Sequence, residues 1–190
     1  MNAPVSLRAR RAARTREALL DAAAREIGRR GYAAATIDAI AAAAGVTKGA
    51  FYTHFEDKSA LLREVIARWT QDRARRLASA RTFWQAVAAF VEYPRGPAGA
   101  PLAAELWRRS LWDPQTRRVV RRAYTTWFEA LERLAAAEPD LRTSPRDAAL
   151  AALAFHDGVV AGACARVQPP TASSQLVESL RRDLGSRRTA

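Results

Sequence analysis

The sequence predicts an all-α protein: a short helix-turn-helix unit followed by a larger helical bundle. Three observations predict it. Apolar residues recur at spacings of three and four along almost every segment. No stretch alternates β-branched and aromatic residues for long enough to make a strand. Before Ala80 the periodic segments are short and punctuated by glycine, and beyond it they lengthen and gather aromatics.

Taken in order, residues 1–13 read as a basic, disordered arm carrying Arg8, Arg10 and Arg11. Thr15 caps a first helix to about Arg30, with Glu17 in its positive first turn, Leu19, Leu20, Ala23 and Ile27 on one face, and Gly31 as its stop. Thr36 caps a second helix over 37–43. Gly45 breaks it, and Thr47 caps a very short third helix through Thr53. Asp57 caps a fourth, whose apolar stripe of Leu61, Leu62, Val65, Ile66 and Trp69 gives way to charge around 73–76.

Phe83 to Tyr93 forms the next helix, stopped by a linker rich in Pro94, Gly96, Pro97, Gly99 and Pro101. A helix over 102–111 follows, then the Asp113-Pro114 break, then a long helix over 115–137. Ser144-Pro145 opens an eighth, running to about Val167, because proline at the first helical position loses no hydrogen bond. Ser173 or Ser174 caps a ninth, to Leu184. The expected division is an arm over 1–13, a helix-turn-helix unit over 14–58 with a connecting helix over 58–78, and a bundle over 79–190.

Composition excludes several classes of function. With 31 basic and 19 acidic residues the net charge is +12, an attraction for polyanions, although only Lys48 and Lys58 among the basic residues are lysine. The single cysteine, Cys164, leaves no internal disulfide and no CxxC metal or redox motif, so neither a metal nor a cofactor is expected and a reducing, cytoplasmic setting fits. No signal-peptide pattern is read at the N-terminus. The stretch 148–165 is weakly polar, but His156 and Asp157 at its centre argue against a membrane span.

The functional reading rests on Thr36-Ile-Asp-Ala-Ile-Ala-Ala-Ala-Ala-Gly45-Val-Thr-Lys-Gly-Ala-Phe-Tyr-Thr-His-Phe55-Glu-Asp-Lys58. Two short helices meet at a glycine that tolerates the positive φ of a tight corner. The second helix is thereby presented to a major groove, its small Gly49 and Ala50 permitting close approach and its free amides near Thr47 favouring phosphate. Phe51 and Phe55 read as anchors, leaving Tyr52, Thr53 and His54 on other faces. Lys58, in the first turn of a helix where a cation is poorly placed, reads as a partner for phosphate.

Ala44 to Lys58 resembles the TetR family of bacterial regulators, whose signature runs Ala-Gly-Val-(Ser/Thr)-x-Gly-x-(Leu/Phe)-Tyr-x-His-Phe-x-x-Lys. The likeness extends back to Thr15 and takes in Ala22-Ala23 and Gly31-Tyr32, while Glu26 stands where relatives place an apolar residue. It implies a homodimer on palindromic double-stranded DNA, with Thr36, Thr47, Lys48, Gly49, Ala50, Tyr52, Thr53, His54 and Lys58 at the duplex. Lys48 would read a base, and Tyr52, His54 and Lys58 would grip phosphates. It also implies repression relieved by a small, partly apolar effector, and no enzymatic activity.

The aromatic-rich second half invites an effector pocket drawn from Trp69, Trp84, Trp107, Trp112, Tyr124, Trp127, Phe128 and Phe155, with Glu105 or His156 supplying polarity. The run from Glu105 to Pro114 is similar to the C-terminal halves of BetI-like members. A seam of Ala148, Ala152, Phe155, Val159 and Gly162, completed by Leu176 and Leu180, is the expected dimer interface. Two other readings are carried forward: a ligand-free or nucleoid-associated DNA-binding protein, and an enzyme whose reactive set would be His156, Asp157 and Cys164.

Overall fold

In a computed structural model the described residues are 6–92, 99–164 and 173–185, and within them lie nine α-helices. They are α1 (Leu7–Ala34), α2 (Ile37–Ala43), α3 (Lys48–Tyr52), α4 (Lys58–Ser79), α5 (Phe83–Glu92), α6 (Gly99–Ser110), α7 (Pro114–Ala136), α8 (Pro145–Cys164) and α9 (Ser173–Leu184). The only pairing outside helices among them is one bridge, Leu141 with Gly185, beside which Arg142 N donates to Leu184 O at 2.8 Å and ties the end of α9 to the α7–α8 loop. The fold is all-α.

Caps set most boundaries where side-chain chemistry demands. Thr36, Thr47 and Asp57 each accept from the amide three residues on, and Asp113 takes both Gln115 N and Thr116 N. The first helix departs from expectation. It begins at Ser6, whose hydroxyl accepts from Ala9 N, so Leu7 to Arg14 are helical and not a disordered arm. The reason lies in composition: Leu, Arg and Ala are all strong helix formers, and exposed positive charge does not cancel that propensity. Gly31 does stop the helical path, as expected: at φ 77° and ψ 162° it is non-helical, and one short further turn to Ala34 follows it. Helix α6 starts at Gly99, two residues before Pro101, because the first turn of a helix has no amide bonds for a proline to break. Pro94, Gly96, Pro97, the stretch 165–167 and the first five residues of the expected arm lie outside the described residues.

Two cores form. The first joins Leu19, Leu20 and Ile27 of α1 to Ile40, Phe51, Phe55, Leu61, Leu62 and Ile66, and it continues into Leu102 and Leu106 of α6. The second is built on Phe83, Val87, Phe90, Trp127 and Leu131 with the alanines of α8. Trp69 packs against both, so α4 links the head, α1 to α3, to the body, α5 to α9, and α6 links them again through Leu102 and Leu106. Glu26, the polar departure inside α1, is buried but is held by Arg29 at 2.9 Å and Arg30 at 3.2 Å, each within one turn.

Helix α8 is long and apolar enough by composition to cross a membrane, yet His156 and Asp157 in its middle are bonded to Arg73 and Tyr124 of neighbouring helices. Its buried face is not the expected seam. Ala148 and Ala152 are fully enclosed in the protomer's own core, and the side left open carries Leu150, Ala154, Gly158 and Ala161. Alanine is small enough for α7 and α8 to close on one another, which draws those positions inward.

Candidate nucleic-acid interface and effector body

The head is organised around one corner. Gly45 adopts φ 69°, Val46 N donates back to Ala41 O at 3.0 Å, and Gly45 N donates to Ala42 O at 3.0 Å. These two bonds are the pair of a Schellman motif, which satisfies the last carbonyls of α2 and turns the chain sharply into α3. Phe51 is wholly buried, edge-on to Tyr52 at 5.3 Å and beside Phe55 at 5.8 Å. With Phe51 as its plug, the five-residue α3 turns its other sides outward. Thr36, Thr47, Lys48, Gly49, Tyr52 and Thr53 are exposed, and Ala50 and His54 are half-buried. All of them lie along one end of the molecule formed by α2, α3 and the turn before α4.

Some of these side chains already have partners. Lys48 Nζ pairs with Asp38 at 3.1 Å, and that bond holds its ammonium above the usual lysine range. Thr53 donates to Ala50 O at 2.7 Å, while the Tyr52 ring stands 52% exposed. Lys58 differs most from a free phosphate grip. Its ammonium donates to Tyr32 O at 2.8 Å, capping the carbonyl end of α1, and lies 4.2 Å from the centre of the Tyr32 ring. Burial first, and then the charge of Arg109, pull its pKa down. Arg109 lies 4.0 Å from the centre of the same ring, so Tyr32 is contacted by one cation from the head and one from α6.

In the body, five of the expected effector residues come together and the others scatter. Trp69, Trp127 and Tyr124 form a run of rings, with Trp69 to Trp127 at 6.2 Å and Tyr124 to Trp127 at 5.2 Å. Trp107 Nε1 donates to Tyr124 Oη at 2.9 Å, and Tyr124 donates to Asp157 Oδ1 at 2.8 Å. His156 is enclosed beside Phe90 at 5.1 Å. Trp84 sits apart, packed on Phe83 with Arg181 near its ring, and Phe128 lies under Arg146. Phe155 is half-buried against the second core. Glu105 is occupied by Arg108 and Arg109 at the junction with the head. Trp112, expected to line the body, stands 80% exposed, because the turn after α6 carries it out past the end of the helix.

Of the expected dimer residues, Val159 and Gly162 are half-buried, Leu180 packs against the second core, and Leu176 lies on α9 with its side chain outside the described residues.

The reading from sequence missed Arg73. It is 1% exposed, deeper than any other arginine described, with its guanidinium 4.2 Å from the centre of the Phe90 ring and also beside Trp69 and Trp127. It donates to Phe90 O at 2.9 Å and to His156 Nδ1 at 2.8 Å. The same Nδ1 lies 3.1 Å from Phe90 O, so it faces a donor and an acceptor at once, while Nε2 stands 4.0 Å from Asp157 Oδ1. Burial, then the Arg73 charge, push the His156 pKa down to about 3. Burial raises Asp157, and burial together with the Asp157 bond raises Tyr124. The missed signal was positional: Arg73 follows Leu62, Ile66 and Trp69 on the stripe that continues to Leu77.

The enzyme reading finds no assembled site. His156 is locked by Arg73, and Cys164 lies eight residues on, about 12 Å along the helix axis, with its thiol raised by burial and donating to Ala100 O.

Comparison with known proteins gives the geometry its context. Residues 19–65 match the model of the family described as bacterial regulatory proteins, tetR family. The chain is 49% identical over 57 residues to the HTH-type transcriptional repressor BepR of Brucella suis biovar 1 (strain 1330), covering 30% of this chain and 27% of that protein. It is 47% identical over 51 residues to the HTH-type transcriptional regulator AcrR of Shigella flexneri, covering 27% and 24%. The matched part thus spans about a quarter of the length of these curated relatives.

Solved structures extend the likeness of fold over nine-tenths or more of the chain. A transcriptional regulator from Saccharomonospora viridis in complex with choline superposes with a TM-score of 0.73 at 20% identity, over 90% of this chain and 98% of that one. NalD, the secondary repressor of the MexAB-OprM multidrug efflux pump in Pseudomonas aeruginosa, does so with a TM-score of 0.66 at 25% identity, over 95% and 100%. Signature, corner and fold agree: residues 19–65 match the tetR family of bacterial regulatory proteins, and about nine-tenths of the chain shares the fold of these solved regulators.

Proposed function

We propose that the protein is a homodimeric transcriptional repressor that binds a palindromic operator through α2 and α3 and is released by a small, partly apolar effector bound in the body. The observation that carries the reading is the corner at Gly45. It holds Phe51 in the core and turns Thr47, Lys48, Gly49 and Tyr52 outward as one continuous surface. A helix this short, with small residues at its start, fits a major groove, and paired heads would enter successive grooves about 34 to 36 Å apart. On DNA, Lys48 would exchange Asp38 for a base edge, and Lys58 would share its ammonium between α1 and a phosphate.

The rest of the chain supports the dimer and the effector. Only 33% of the apolar span of α8 is buried in the protomer, and its open side of Leu150, Ala154, Gly158 and Ala161 allows close approach of a second copy. In the body, Trp127 is 1% exposed and its Nε1 has no hydrogen-bond partner among the described residues, a donor facing an aromatic cluster that an effector oxygen could satisfy.

The test is a competition gel shift on DNA from upstream of its own gene. Lys48→Ala should erode the preference for that fragment over random DNA, whereas Lys58→Ala should weaken both and lower the salt slope by about one. Equal losses for both variants on both DNAs would overturn the division of roles.

A further inference from the structure

A cleft of about 540 Å³ lies between α4 and the corner where α6 passes into α7, and it is lined by Ser59, Arg63, Arg109, Asp113, Pro114, Gln115 and Arg118. It touches neither α3 nor the aromatic cluster of the body. Three guanidinium groups line it against one carboxylate. That carboxylate is already committed: Asp113 accepts from Gln115 N at 3.0 Å, Thr116 N at 3.2 Å and the Thr116 hydroxyl, which hold its pKa down as a cap of α7.

The arginines are less fully occupied. Arg109 shares Glu105 with Arg108, at 3.3 Å against 2.7 Å. Arg63 and Arg118 make no ion pair or hydrogen bond among the described residues, although the Arg63 charge contributes to lowering Asp113, and Arg118 is exposed. Holding like charges around one concavity is unfavourable unless something of opposite sign enters it. Volume and chemistry then select the guest. The space is several times larger than a lone inorganic ion needs and falls in the range of small-molecule sites. Guanidinium forks match phosphate oxygens two at a time.

We propose that this cleft binds a small anion carrying two or three linked phosphates. The site is built from both parts of the molecule. Ser59 and Arg63 belong to α4, one residue and five residues beyond Lys58, while Arg109, Gln115 and Arg118 belong to the body. Ser59 Oγ lies 3.1 Å from Tyr32 Oη and accepts from Arg109 Nη1 at 3.4 Å, so a guest there acts through Ser59 and Arg109 on the same Tyr32 that holds Lys58 at the end of α1. The anion would tie head to body and alter operator affinity from a place separate from both the duplex and the aromatic cluster.

The experiment is calorimetric titration of the full chain with pyrophosphate and with tripolyphosphate at fixed ionic strength, in parallel with a thermal melt. Wild type should bind saturably and melt higher. Arg63→Gln with Arg118→Gln should weaken binding at least about ten-fold, the loss expected for two charge-assisted contacts. Arg142→Gln, in the loop between α7 and α8, should bind as wild type. A melt of each variant without anion establishes that it folds.

Equal binding by the double variant, or heat that vanishes once ionic strength is matched, would overturn the site. The alternative source of phosphate is the duplex itself. If the double variant lowers the salt slope of DNA binding by about two, the cleft serves the DNA backbone and the small-anion proposal fails. Unchanged operator binding by the same variant keeps this outcome separate from the test of the DNA-reading surface.

Discussion

Head and body solve the problem of burying a helix in opposite ways. In the head, the core around Phe51, Ile40, Leu61 and Leu62 is apolar, and polar side chains such as Lys48 and Thr47 stay outside. In the body, a chain of polar groups runs through an aromatic interior: Trp107 to Tyr124 to Asp157, then across 4.0 Å to His156, and on to Arg73. An apolar core has one well-packed arrangement and holds a surface rigidly. A buried polar chain is costly to leave half-satisfied and has alternatives that a guest molecule can supply. The head is therefore suited to presenting a fixed face, and the body to responding.

Three substitutions or conditions sharpen that contrast. The largest effect belongs to the head's plug: Phe51→Ala leaves a cavity under α3 and should cost about 3 to 5 kcal/mol, with DNA binding lost at temperatures where the body stays folded. Urea unfolding alongside anisotropy on labelled DNA checks it, and a loss of stability with DNA binding intact would break the claim that Phe51 positions the reading face.

Next comes acid. The unfolded chain protonates a histidine near pH 6.5, whereas folded His156 resists down to about 3. The unfolded state binds the extra proton, so stability falls as pH drops below 6.5. The loss is about 2 kcal/mol between pH 7 and pH 5. The raised carboxyl of Asp157 works in the opposite sense, because there the folded state takes up the proton first. His156→Gln should flatten the slope of the urea midpoint against pH, and an unchanged slope would show that the body's polar chain does not titrate as described.

The smallest effect separates the two glycines of the head. Gly45→Ala meets no atom within 4 Å and suffers only the strain of a left-handed residue, about 1 kcal/mol. Gly31→Ala is equally free of neighbours, but at φ 77° and ψ 162° it occupies a region that only glycine enters readily, and it should cost about 2 kcal/mol. Melting of the two variants side by side gives the order.

What was legible in the sequence was local chemistry. The Gly45 corner, the Thr36, Thr47 and Asp57 caps, and Phe51 as an anchor all depend on neighbours within a few residues, and each stands in the structure where its residue type demands. What escaped depended on partners far along the chain. Arg73 read as the start of a charged surface, yet it is enclosed by Phe90 and by His156, 83 residues away. Trp112 and Glu105 carried the right chemistry for a pocket but fall at a turn and at a salt-bridged junction. Ala148 and Ala152 read as a seam between copies and instead close α8 onto its own protomer. The start of α1 turns on a local balance: Ser6 and Thr15 can both cap, and the helical propensity of the residues between them outweighs their charge.

The central claim is that one end of the head reads a duplex in pairs. Hydroxyl-radical footprinting of the protein on genomic fragments it retains would test it most directly. Two protected stretches of matching sequence in opposite orientation, centred about 10 base pairs apart on one face of the helix, are expected, and both should disappear with Lys48→Ala. A single protected stretch, or a footprint that ignores Lys48, would contradict it.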